Sequence, residues 1–82
     1  MEIKNVIDAL NQLEEDTSVP KNIKQRISEI TSDMKSDKDL SLKVNKSLSE
    51  LDDIANDINL PTFVRTQIWG IASMLEKLNN SS

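Results

Sequence analysis

The stretch Ile54-Ala55-Asn56-Asp57-Ile58-Asn59-Leu60-Pro61-Thr62-Phe63-Val64-Arg65 decides the fold, because a paler copy of it occurs forty-one residues earlier as Leu13-Glu14-Glu15-Asp16-Thr17-Ser18-Val19-Pro20-Lys21-Asn22-Ile23-Lys24. In each copy an apolar helical run ends near an aspartate. A Ser or Asn, an aliphatic residue and a proline follow, and a basic residue stands four places past the proline. Both read as a corner at which one helix stops and the next starts on a proline that its first turn tolerates. Asp16, Ser18 and Pro20 in the first corner, and Asp57, Asn59 and Pro61 in the second, are therefore capping residues. The carboxylate and hydroxyl oxygens of Asp16 and Ser18 are expected to accept the free amide protons of the following helix. Arg65 is close enough in sequence to pair with Asp57 across the second corner, an exposed pair of small value.

Working outward, Ile3, Val6, Ile7, Leu10 and Leu13 recur at spacings of three and four, which predicts an amphipathic helix over about 2–15. Ile23, Ile27, Ile30 and Met34 make a single narrow line on a second helix over 20–35. Ser36 and Asp39 have the spacing of a capping box that opens a third helix over 39–56. Its stripe runs through Leu40, Val44, Leu48, Leu51, Ala55 and Ile58, with Leu42 on the opposite face. The fourth helix, 61–78, carries Val64, Ile68, Ile71, Leu75 and Leu78 toward the core, and the tail Asn79-Asn80-Ser81-Ser82 reads as frayed.

A shift of forty-one superposes these stripes without a gap, so that Ile7 falls on Leu48, Leu10 on Leu51, Ile27 on Ile68 and Met34 on Leu75. Each unit is a helical hairpin. Two hairpins are too few for a solenoid, and short connections favour an all-α antiparallel four-helix bundle in one domain spanning 1–82. Two stacked hairpins of the HEAT kind are the competing arrangement.

The run Glu15-Asp16-Thr17-Ser18-Val19-Pro20, taken with Pro61-Thr62-Phe63-Val64-Arg65-Thr66-Gln67-Ile68-Trp69, resembles a small archaeal family of uncharacterised proteins of similar length. The resemblance covers nearly the whole chain. It implies a compact helical protein and no assigned activity.

Composition removes most chemistry. Without cysteine or histidine, thiolate zinc sites, disulfides, Ser-His-Asp or Cys-His catalysis and imidazole switches are excluded within one chain. Gly70 is the only glycine, so no phosphate-cradling loop exists. The carboxylates Glu14-Glu15-Asp16, Asp52-Asp53 and Asp33 with Asp37 and Asp39 lie on polar faces or corners, where nothing pushes their pKa values apart for acid–base work. No enzyme activity, metal, cofactor or small-molecule substrate is expected. No apolar run approaches membrane-spanning length, which makes the cytoplasm the simplest location.

The two copies differ in one informative way. Where the second helix has Asn22, Ser28, Glu29 and Asp33, the fourth has Phe63, Trp69, Gly70 and Met74. Phe63, Gln67, Trp69 and Met74 are therefore the candidate contact residues of an accessory module that binds an unidentified protein or a second copy of itself. The bland reading folds the indole over a neighbouring corner. The alternative function is RNA or ribonucleoprotein binding through Lys21, Lys24 and Arg26 on the second helix. A net charge of −4, with neither half in positive excess, opposes nucleic-acid binding by charge alone.

Overall fold

The computed structural model describes residues 3–81, with the side chains of residues 3–80. Four helices are present among them: α1 (Ile3–Glu15), α2 (Lys21–Lys35), α3 (Leu40–Ala55) and α4 (Thr62–Ser81). The predicted start of the first helix at residue 2 lies outside the described residues. α1 packs on α2, α2 on α3, α3 on α4 and α4 back on α1, and among the described residues neither diagonal pair brings its backbones within 8 Å. A closed ring of this kind is the antiparallel bundle. Stacked hairpins would have placed α1 against α3 and α2 against α4.

The interior is one continuous aliphatic cluster. Val6, Leu10 and Leu13 of α1 meet Ile23, Ile27, Ile30 and Met34 of α2, then Val44, Leu51 and Ile54 of α3, then Val64, Ile68, Ile71 and Leu75 of α4. Burying each such side chain stabilises the fold by roughly 1.5–3 kcal/mol, which is what the three-and-four spacing provides for. The repeat breaks at an inward position where Ser47 stands in place of Val6 of the first hairpin, and its buried hydroxyl has no partner among the described residues. Ile58 does not extend the α3 stripe. The helix ends before it, and in the corner its side chain is 91% exposed.

The corners repeat bond for bond. The Ser18 amide donates to Asp16 Oδ1 at 2.8 Å, and the Asn59 amide donates to Asp57 Oδ1 at 2.9 Å. The Asp16 amide donates to the Leu13 carbonyl and that of Asp57 to the Ile54 carbonyl, while Val19 and Leu60 donate back to the carbonyls of Asp16 and Asp57. Each aspartate thus closes an Asx turn inside its corner instead of capping the helix beyond it. Pro20, with φ −59° and ψ 148°, is still extended while its carbonyl accepts the Lys24 amide at 2.9 Å. It is the N-cap, so α2 begins one residue later than its sequence indicates. Pro61 likewise accepts from Arg65 at 3.1 Å, and α4 begins at Thr62.

The capping box between α2 and α3 does not form. The Ser36 hydroxyl donates to the Asp33 carbonyl at 2.6 Å, closing the end of α2, and Asp39 caps α3 with no side-chain bond to it. α4 runs through Asn79 and Asn80 to Ser81, because no proline or glycine follows Leu78 to end it.

Two cations tie helix ends together. Lys43 is only 8% exposed, and its ammonium donates to the carbonyls of Met34 at 3.1 Å and Ser36 at 2.8 Å. Arg65 donates from Nε to the Ala55 carbonyl and from Nη2 to the Asp57 carbonyl, both at 2.9 Å. The expected partner of Arg65, the Asp57 carboxylate, is instead occupied by the Asn59 amide. Each cation stands four residues past the residue that precedes its helix and reaches back to the negative end of the helix before. Lys24 holds the same place in the first corner and makes no such bond among the described residues.

These contacts assign Arg65 more weight than an exposed ion pair has. Arg65→Ala is expected to lower the unfolding free energy by about 1–3 kcal/mol, the range for charged hydrogen bonds to backbone that are only partly screened. Lys24→Ala should change it by less than about 0.5 kcal/mol. Urea denaturation of the two variants side by side checks the difference.

Candidate functional site

Two seams join the hairpins, α2 against α3 and α1 against α4, and the forty-one-residue repeat makes them equivalent. The α2–α3 seam is charged. Arg26 Nη2 lies 2.9 Å from Asp53 Oδ2 and 3.8 Å from Glu50 Oε2. Asp33 receives Lys46 at 3.1 Å and Lys38 at 3.4 Å.

The α1–α4 seam has lost this set. Gln67 stands for Arg26, Gln12 for Asp53, Ala9 for Glu50, Met74 for Asp33 and Asn5 for Lys46. Where the Arg26 pairs stand on the other seam there is a groove of about 320 Å³, lined by Ala9 and Gln12 of α1 and by Gln67, Gly70, Ile71 and Met74 of α4. None of these residues carries a charge. Gly70 lies in its wall, and a methyl group added there would meet nothing within 4 Å. The bundle itself therefore has no need of a glycine at this point, although glycine inside a helix costs about 0.5–1 kcal/mol relative to alanine.

The candidate contact residues fall on two faces. Gln67 and Met74 line the groove. Phe63 is 42% exposed and precedes Gly70 by two helical turns, on the same flank. Trp69 is 59% exposed, far from sealed in the interior, and projects about 120° around α4 from Phe63 at 100° per residue. Its counterpart in the first hairpin is Ser28, in the wall of a polar groove of about 270 Å³ between α1 and α2. Thr31 and Glu14 approach to 3.1 Å there. Trp69, Ala72 and Glu76 replace Ser28, Thr31 and Lys35 in the second hairpin, so an indole stands where the first hairpin has a hydroxyl.

The three basic candidates are not brought together. Lys21 is exposed and Lys24 half-buried, while Arg26 is turned to the other side of α2 and bound to carboxylates. Three of the acidic residues are engaged as well: Asp16 with the Ser18 amide, Asp53 with Arg26, and Asp33 with two lysines. Among the described residues no three acidic side chains are placed to hold a metal ion, and no helix is long and apolar enough to cross a membrane. Sequence reading missed the groove, because Gln12 and Gln67 meet only once α1 and α4 pack. A signal was nevertheless present in the loss of five seam charges between the repeats.

A family model described as an uncharacterised protein family, UPF0147, matches residues 1–78. The chain belongs to the UPF0147 family. Similar UPF0147 proteins come from Archaeoglobus fulgidus, 35% identical and covering 94% of this chain and 88% of the relative, and from Methanosarcina acetivorans, 38% identical and covering 93% and 79%. Another, from Sulfurisphaera tokodaii, is 34% identical over 95% of this chain and 89% of its own. A crystal structure of a protein of unknown function, MMP1188, is 37% identical and superposes with a TM-score of 0.83 over 90% of this chain and 85% of that one. The UPF0147 relatives thus confirm the archaeal family that the two corner motifs resemble, and the solved structure supports the compact all-helical fold.

Two outcomes follow from the seams. The hydrogen bond from Lys46 is the main cause that holds the Asp33 carboxyl below its ordinary value of 3.8; desolvation, the next in size, opposes it, and the charges of Lys38 and Lys46 add to the lowering. A carboxyl depressed by folding contributes stability that is present above the ordinary carboxylate range and disappears as pH falls through the folded value. The gap in urea midpoint between wild type and Asp33→Asn should accordingly be constant near neutrality and close below about pH 4. On the other seam, Gly70→Ala should raise the unfolding free energy by about 0.5–1 kcal/mol. Thermal and urea melts of that variant read this directly.

Proposed function

We propose that the protein is a non-enzymatic accessory module that binds another macromolecule through the surface of α4, with Phe63, Gln67, Trp69 and Met74 as contact residues. The exposure of Trp69 carries this reading. An indole left in water forgoes roughly 1.5–3 kcal/mol of burial, and tryptophan is enriched at the centres of protein contacts. The neutral groove beside it offers a second uncharged surface on a chain whose residues are 29% charged.

Catalysis draws less support. Of the carboxylates, Asp16, Asp53 and Asp33 are held by amides or cations within the fold. RNA binding through α2 draws less support as well, since Arg26 is committed to Asp53 and Glu50 and leaves only Lys21 and Lys24.

The test is affinity capture from a native lysate of the source organism, with wild type and Trp69→Ala as baits. The variant should retain at most a tenth of the captured partner, with unchanged circular dichroism and melting temperature. Equal capture by both baits, or a variant that unfolds, would refute a contact role for the indole.

A further inference from the structure

We infer that the α1–α4 groove is the docking face for a second copy of this chain, with Gly70 at the point of closest approach between the two α4 helices. The inference rests on the reading of α4 as a contact surface and names the partner of its groove side. Phe63, Gln67, Gly70 and Met74 follow one another at spacings of four, three and four, parallel to the core stripe Val64, Ile68, Ile71, Leu75 and Leu78. A helix with two adjacent stripes of this spacing has one for its own bundle and one for another helix. Gly70 sits mid-stripe, where the absence of a side chain lets a second backbone approach. Nothing inside the monomer makes use of that space.

Charge and area select a second copy as the occupant. Two chains of net charge −4 repel, so self-association needs a face on which no like charges are set against each other. The groove walls are such a face, and the amides of Gln12 and Gln67 each donate and accept, which suits them to their own copies across a two-fold axis. Near the groove, Lys4 and Asp8 offset each other at 3.6 Å. The molecule measures 34 × 18 × 18 Å, and its α1–α4 side offers roughly 600 Å² in projection, of the order of the ~800 Å² of accessible surface that each partner buries in a stable complex. A lone helix about 10 Å wide would cover near half of that side, whereas a second bundle laid face to face covers it all. Trp69, about 100° around α4 from Gly70, stays outside this contact.

Sedimentation equilibrium on the full chain tests the inference. Wild type should sediment as a dimer, and Gly70→Leu, whose side chain enters open space in the monomer, should weaken association at least tenfold while melting no lower than wild type extrapolated to low concentration. Gln67→Glu and Gln67→Lys should each weaken association at low salt, and an equimolar mixture of the two should recover a mixed dimer. A wild type that remains monomeric at several hundred micromolar overturns the inference, as does a dimer indifferent to Gly70→Leu and to both Gln67 changes. The wider reading fails separately, through equal capture by wild type and Trp69→Ala, because that side chain lies off the dimer face.

Discussion

A helix that stops leaves carbonyl groups without partners, and a bundle of short helices must satisfy them at every corner or not close at all. The cations answer this need twice. The Lys43 ammonium reaches the carbonyls at the end of α2, and the Arg65 guanidinium reaches those at and just beyond the end of α3. Because each cation belongs to the following helix, the same bonds also fix how that helix leaves the corner. The aliphatic stripes can then face one another from the first turn.

The first corner manages without a cation. Its Asx turn at Asp16 matches the one at Asp57 atom for atom, yet Lys24 donates to no carbonyl among the described residues, and the last turn of α1 is acidic at Glu14 and Glu15. The Asx turn is therefore the shared device that reverses the chain. The cation is an addition that distinguishes the α2–α3 and α3–α4 connections from the α1–α2 corner.

Much of the fold was legible because its causes are local. The spacing of Ile23, Ile27, Ile30 and Met34 is the period of a helix with one wet side, and all four are buried. The prolines marked the corners to within one residue. The features that escaped depend on competition or on tertiary packing. Ser36 looked like a cap for α3, but its hydroxyl is taken by the Asp33 carbonyl. Ile58 continued the α3 periodicity on paper, and the helix had already ended. Lys43 gave no composition signal, since a lysine within a helix ordinarily reads as solvated, and only its spacing from Asp39 matches that of Arg65 from Pro61. The exposed indole was legible as a residue off the core stripe. The neutral groove was not, because its two walls are more than fifty residues apart in the chain.

The contrast between the seams has an evolutionary consequence. Were the two hairpins separate and identical molecules, one substitution would alter both lines of contact at once, and a charged pair gained along one would be gained along the other. Covalent linkage of the copies frees the two lines to drift apart. Arg26, Asp33, Lys46, Glu50 and Asp53 can fasten one side of the barrel while Gln67, Met74, Asn5, Ala9 and Gln12 keep the opposite side uncommitted. The linked pair thus has a front and a back, where an assembly of identical hairpins would have neither.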